Sequence, residues 1–222
     1  LDPLCFMLIY VFMFGYVFKS KQQYFAIFVF IGITLWDFFN KSLIQSVKVI
    51  KANKPIVSKV YIPKFILILV KMGVNGFKML ISLLIIVAML IVWRVPMTYN
   101  VIYIIPILMT LVVLVFGCCC FLLHYGVFVE DLSNVLNIVL RFLFYLTGIF
   151  WNIMDRLPSP YNYYIGRCNP IAFLLTSARD CVIYGSTPHR KLLLLWFVIG
   201  LIISALGVRK IYKNENSYVK VI

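Results

Sequence analysis

The sequence predicts an all-α membrane protein with six transmembrane helices, and three observations carry that prediction. The 222 residues are 64% hydrophobic and only 13% charged, with a mean hydropathy of +1.01; a soluble domain is about 45–50% apolar and about 25% charged. The apolar residues fall in continuous runs, not in the alternating ~10-residue segments of a β-barrel. Lipid offers the backbone no hydrogen-bond partner, and a helix satisfies its own N–H and C=O groups over the ~20 residues a bilayer requires.

The runs lie at 4–18, 24–44, 65–93, 101–125, 132–151 and 192–208. Charge, Pro96 and Asn100 mark the short turns at 19–23 and 94–100. The first run is short for a span and follows Leu1-Asp2-Pro3, with neither a basic leader nor a small-residue cleavage site. The chain therefore reads as one membrane domain over 1–222 that is truncated at its start. Two stretches interrupt the bundle. Residues 45–64 carry Lys48, Lys51, Lys54, Lys59 and Lys64. Residues 152–191 carry Pro158, Pro160, Pro170 and Pro188, and the apolar part IAFLLTSARDCVIYG is too interrupted to span. Short re-entrant or interfacial helices are expected there.

The net charge of +14 comes from 14 Lys and 7 Arg that sit mostly in connecting segments. There they face lipid head groups or set topology, so no nucleic-acid partner is expected. With six spans and both ends inside, nine basic residues fall inside and eight outside. The inside ones cluster beside span ends, where the positive-inside rule has most force, which places both termini in the cytoplasm.

Several chemistries are disfavoured. No GxxxxGK[ST] loop occurs, so this chain does not hydrolyse ATP by that route. His124 and His189 are far apart, no HExxH is present, and carboxylates in the runs are few: Asp37, one turn from Lys41, and the pair Glu130-Asp131. No catalytic residue, metal site or cofactor is assigned on these residues. Cys118, Cys119 and Cys120 are consecutive and read as packing residues. Cys168 and Cys181 can both lie outside the membrane, which leaves a disulfide open.

In the third run, Lys64, Lys71 and Lys78 recur every seven residues, with Asn75 on the same helix face. Either the lysines snorkel from an amphipathic segment to the interface, or they form a cationic path for a phosphate-bearing lipid. Aromatic residues bunch at Trp36, Phe38 and Phe39, again from Phe142 through Tyr145 to Trp151, and at Tyr161, Tyr163 and Tyr164. Interfacial belts account for such groups, and ring faces also stack on sugars, so Phe142, Tyr145 and Trp151 are candidates to line a glycan path.

Four segments then resemble one family. IVSKVYIPKF (56–65), DPLCFMLIYVFMFGYVFKS (2–20), LWDFFNKSL (35–43) and CNPIAFLLTSARD (168–180) are similar, in order, to motifs of the membrane permease subunit of ABC transporters that export polysaccharide, O-antigen, capsule or teichoic acid, a type-2 ABC permease. The resemblance implies a homodimer in the bacterial inner membrane, joined to two ATPase subunits that carry the ATP and Mg, and moving a lipid-linked glycan outward. It implies that Ser58, Lys59, Val60, Tyr61, Ile62 and Pro63 form a cytoplasmic coupling helix seated on the ATPase, with Pro63 suited to a helix's first turn. It places Asn169, Pro170, Arg179 and Asp180 in an outer re-entrant element between the fifth and sixth spans, and implies that an N-terminal amphipathic helix is missing before Leu1. The alternatives are an ABC exporter of a small lipid or drug, a membrane-embedded transferase, and a passive channel.

Overall fold

The computed structural model describes residue 12 and residues 24–57, 59, 61–96, 98–152, 158 and 161–221, without the side chains of 162, 165, 216 and 219–221. The first apolar run, 4–18, and the turn at 19–23 fall outside them, apart from residue 12.

Among the described residues the regular structure is helical. Helix α1 spans Phe25–Ala52, α2 Lys54–Val57, α3 Lys64–Val92, α4 Ile104–Phe128, α5 Leu132–Leu146, α6 Tyr161–Cys168, α7 Pro170–Val182 and α8 Arg190–Val221, with a 3₁₀ turn over Tyr99–Tyr103 leading into α4. Four of these segments are long and apolar enough to cross a membrane: Phe25–Ala52, Lys64–Val92, Tyr99–Phe128 and Arg190–Glu215. The protein is a multi-pass membrane protein.

Of the six expected spans, the first falls outside the described residues, and four of the other five are long and apolar enough to cross. The fifth run is helical only over Leu132–Leu146, 15 residues. At ~1.5 Å per residue that is about 22 Å, short of the ~30 Å hydrocarbon core. The helix stops where Gly148 takes φ 68°, a left-handed conformation that ends helices and that glycine adopts without a Cβ clash. Helix α1 runs eight residues beyond the expected end at 44. No breaker intervenes before Asn53, and the Ser46 hydroxyl is absorbed by the Leu43 carbonyl at 2.7 Å. Helix α8 likewise continues past 208 to Val221, for 32 residues, since its polar tail RKIYKNENSYVKV contains neither Gly nor Pro.

The chain divides into two compact units: residues 1–37, 78–108 and 144–193, and residues 38–77, 109–143 and 194–222. In the first, α6 and α7 pack on each other, and α7 also packs on the 3₁₀ turn. Ile27, Phe28, Val29 and Phe30 of α1 are buried there with Ala172, Leu174, Leu175 and Ala178 of α7. In the second, α4 and α8 approach through small residues. A Cβ on Gly207 would stand 2.6 Å from Cys120 Cβ, and one on Gly117 would stand 2.9 Å from the Ser204 amide. The Ser204 hydroxyl donates to the Val113 carbonyl at 2.9 Å. Without a hydrophobic drive between helices in lipid, close backbone approach and such hydrogen bonds supply the attraction. Cys119 and Cys120 are fully buried, as packing residues should be, while Cys168 is exposed and Cys181 buried, both free thiols. No disulfide joins the latter two.

Candidate functional site

The basic segment between α1 and α3 is built from its caps outward. The Asn53 carbonyl accepts from the amides of Ile56 and Val57, both at 3.0 Å, which winds the single turn of α2. Pro55 suits that turn because its missing N–H would have had no helical partner. The Lys59 amide donates to the Ile56 carbonyl at 3.1 Å. Ser58 and Val60 lie outside the described residues. Lys59 and Tyr61 are exposed, Ile62 and Pro63 half-buried, and Pro63 immediately precedes α3. The short helix therefore lies upstream of the stretch expected to form it, and 61–63 are not helical.

Tyr61 projects with 73% of its surface exposed, yet its hydroxyl donates to Glu215 Oε2 on α8 at 3.2 Å. That hydrogen bond, and then the carboxylate's charge, raise the pKa of the Tyr61 phenol. Lys64 is only 2% exposed. Its Nζ donates to the Ile62 carbonyl at 3.0 Å and sits 3.8 Å from Glu215 Oε1. Glu215 thus holds Tyr61 with one carboxylate oxygen and Lys64 with the other. The Phe65 and Tyr212 rings, 5.6 Å apart, add an apolar contact beside them. Glu215 was not singled out from the sequence. The available signal was its place as the sole carboxylate among Arg209, Lys210, Lys213 and Lys220.

The seven-residue repeat on α3 does not give its members one environment. Lys64 is buried against Glu215, whereas Lys71 and Lys78 are exposed. Asn75 is buried and faces α1, its Nδ2 donating to Ser42 Oγ and Gln45 Oε1, both at 3.1 Å. Of the aromatic candidates, Phe142 and Tyr145 are exposed and Trp151 is half-buried. Tyr145 meets Phe144 edge-on at 5.6 Å, and Phe144 in turn meets the buried Trp36 at 5.5 Å. Among the described residues no three His, Cys, Asp or Glu side chains converge on a possible metal position.

The segment after α5 holds a second constellation. Asn169 caps α7, its Oδ1 accepting from the amides of Ile171 at 3.0 Å and Ala172 at 3.3 Å, and Pro170 takes the first helical position. Arg179, buried on the same helix, donates to three backbone carbonyls: Phe28 at 3.0 Å, Gly148 at 2.8 Å and Ile149 at 2.6 Å. Its guanidinium also stacks 3.5 Å from the Phe28 ring centre. Burial pulls its pKa down, but three charge-assisted hydrogen bonds favour the protonated fork. Gly32 leaves the room, since a Cβ there would lie 2.5 Å from an Arg179 terminal nitrogen. Burial raises the neighbouring Asp180 carboxyl to about 6, although the charge of Arg179 opposes it. The sequence motif named Asn169, Pro170, Arg179 and Asp180; it did not show Gly32, Gly148 or Ile149 as their partners.

No protein-family model matches the chain. Two proteins of Klebsiella pneumoniae, each named O-antigen export system permease protein RfbA, are 24% identical to it over all 222 residues, which is 85% of each relative's length. The resemblance drawn from the four motifs therefore extends over the whole chain.

Proposed function

We propose that this chain is the membrane permease subunit of an ATP-driven exporter that moves a lipid-linked polysaccharide, of the O-antigen or teichoic-acid kind, from the cytoplasmic to the outer face of the bacterial inner membrane. The likeness to the two O-antigen export permeases from end to end carries this reading. In it, two copies pair, two ATPase subunits bind them and supply ATP and Mg, and both termini face the cytoplasm. The exposed Tyr61, fixed to α8 through Glu215, is the contact that an ATPase groove would grip. Displacement of the segment would reach α3 through Lys64 and α8 through Glu215, both of which continue into apolar spans. On the outer side, α6 and α7 form the re-entrant element, pinned at its base by Arg179. Lys71 and Lys78, exposed on α3, are candidates to meet the phosphate, and the aromatic rings of Phe142, Tyr145 and Trp151 are candidates to meet the sugars.

The experiment is reconstitution of the chain in vesicles with a partner P-loop ATPase. ATP-dependent appearance of lipid-linked glycan at the outer face is expected. ATP hydrolysis that moves a small lipid or drug, with no glycan translocated, would replace the proposal with an exporter of that other cargo.

A further inference from the structure

A cavity of about 350 Å³ opens where the end of α1, the end of α4 and the start of α5 meet. Val47, Lys48, Lys51, Gly126, Glu130 and Ser133 are its principal lining residues. Its back wall forms because Gly126 carries no side chain: a Cβ there would lie 2.5 Å from the Val47 carbonyl oxygen. Lys48 and Lys51 are exposed at its rim. Ser133, in the first turn of α5, is 5% exposed, and its hydroxyl has no hydrogen-bond partner. A buried hydroxyl left unpaired costs about 1–3 kcal/mol, so this one has an unmet need at the wall of the hollow. The N-terminal end of α5 adds a positive partial charge at the same wall. One carboxylate, Glu130, opposes two ammonium groups, leaving the hollow net positive.

We propose that this cavity binds a phosphate group, with Lys48 and Lys51 supplying charge and the Ser133 hydroxyl donating a hydrogen bond. Lysine binds phosphate as a point charge and tolerates a ligand that must leave. The position at the ends of apolar helices suits the head group of an anionic phospholipid, and a soluble phosphate shares the same chemistry. The inference stands on this geometry and does not depend on what the protein exports.

The test uses the full chain in detergent with phosphatidylcholine, titrated with phosphatidylglycerol (bound lipid counted by native mass spectrometry) and separately with radiolabelled inorganic phosphate. Lys48→Gln with Lys51→Gln should weaken binding on the order of twentyfold, each lysine near an anionic surface contributing roughly fivefold. Ser133→Ala should weaken it several-fold, and Glu130→Gln should tighten it. Lysine-dependent binding of phosphatidylglycerol identifies a head-group site; lysine-dependent binding of inorganic phosphate alone identifies a soluble ligand. Unchanged binding of both probes by the double variant overturns the proposal. An equal loss in the Lys213→Gln control, or weaker binding by Glu130→Gln, also overturns it.

Discussion

Glu215 of α8 accepts a hydrogen bond from the Tyr61 hydroxyl at 3.2 Å, although the two residues are 154 positions apart. The bond gives an otherwise exposed aromatic residue a fixed place on a helix that crosses the membrane. Tyr61→Ala should leave the helices folded and ATP hydrolysis running while export falls at least tenfold. Tyr61→Phe, which keeps the ring and loses only the hydroxyl, should fall less. Full export by the reconstituted Tyr61→Ala protein would remove Tyr61 from the proposed ATPase contact.

Lys71 and Lys78 are exposed on α3, whereas Lys64 is committed to Glu215. Lys71→Gln with Lys78→Gln should therefore lower export of an anionic lipid carrier and leave stability unchanged. Lys64→Met should instead destabilise the protein by about 3 kcal/mol, because removing one partner of a buried pair strands the other. The pair of experiments, vesicle export and thermal unfolding, separates the two roles. Wild-type export by the double glutamine variant would leave those lysines as interfacial anchors.

The three carbonyls that Arg179 satisfies make it a tie between α7, α1 and the turn after α5. Arg179→Lys loses the fork and cannot reach all three, so at least about 2 kcal/mol should be lost, with unsatisfied buried carbonyls costing about 1–3 kcal/mol each. Gly32→Ala drives a methyl into the guanidinium and should expose the 152–191 segment to limited proteolysis. A protease pattern identical to wild type in both variants would contradict this.

Gly207→Ala should cost about 1–3 kcal/mol through overpacking, since its new Cβ meets Cys120 Cβ at 2.6 Å. Cys120→Gly removes that atom, and the double variant should recover part of the loss in a thermal-unfolding cycle. Strictly additive losses would place the strain elsewhere.

The Asp180 carboxyl has a folded pKa of about 6 against an ordinary 3.8. Between those values the folded state holds the proton more tightly than the unfolded state, so stability is greatest below about pH 4. It declines as pH rises to about 6, by at most about 3 kcal/mol at 1.36 kcal/mol per pKa unit. Asp180→Asn should remove that slope and raise the melting temperature at pH 7. Melting curves across pH 4–7 for both proteins decide it; parallel profiles would deny Asp180 the role.

The sequence by itself determined that the chain crosses a membrane as helices. That property is local: a continuous apolar run in lipid must satisfy its own backbone wherever its neighbours lie. It also placed the third apolar run from residue 65, one residue from the observed start of α3 at Lys64, because the end of an apolar run is a local feature. The tertiary structure alone decided which member of the lysine repeat is buried, since Lys64 is drawn in by Glu215 from a distant helix. The same holds for Arg179, whose acceptors come from residues 30 to 151 positions away, and for the glycines that let α4 meet α8. Hydrogen bonds and close contacts between remote segments depend on how the chain packs, and periodicity along one helix carries no record of that.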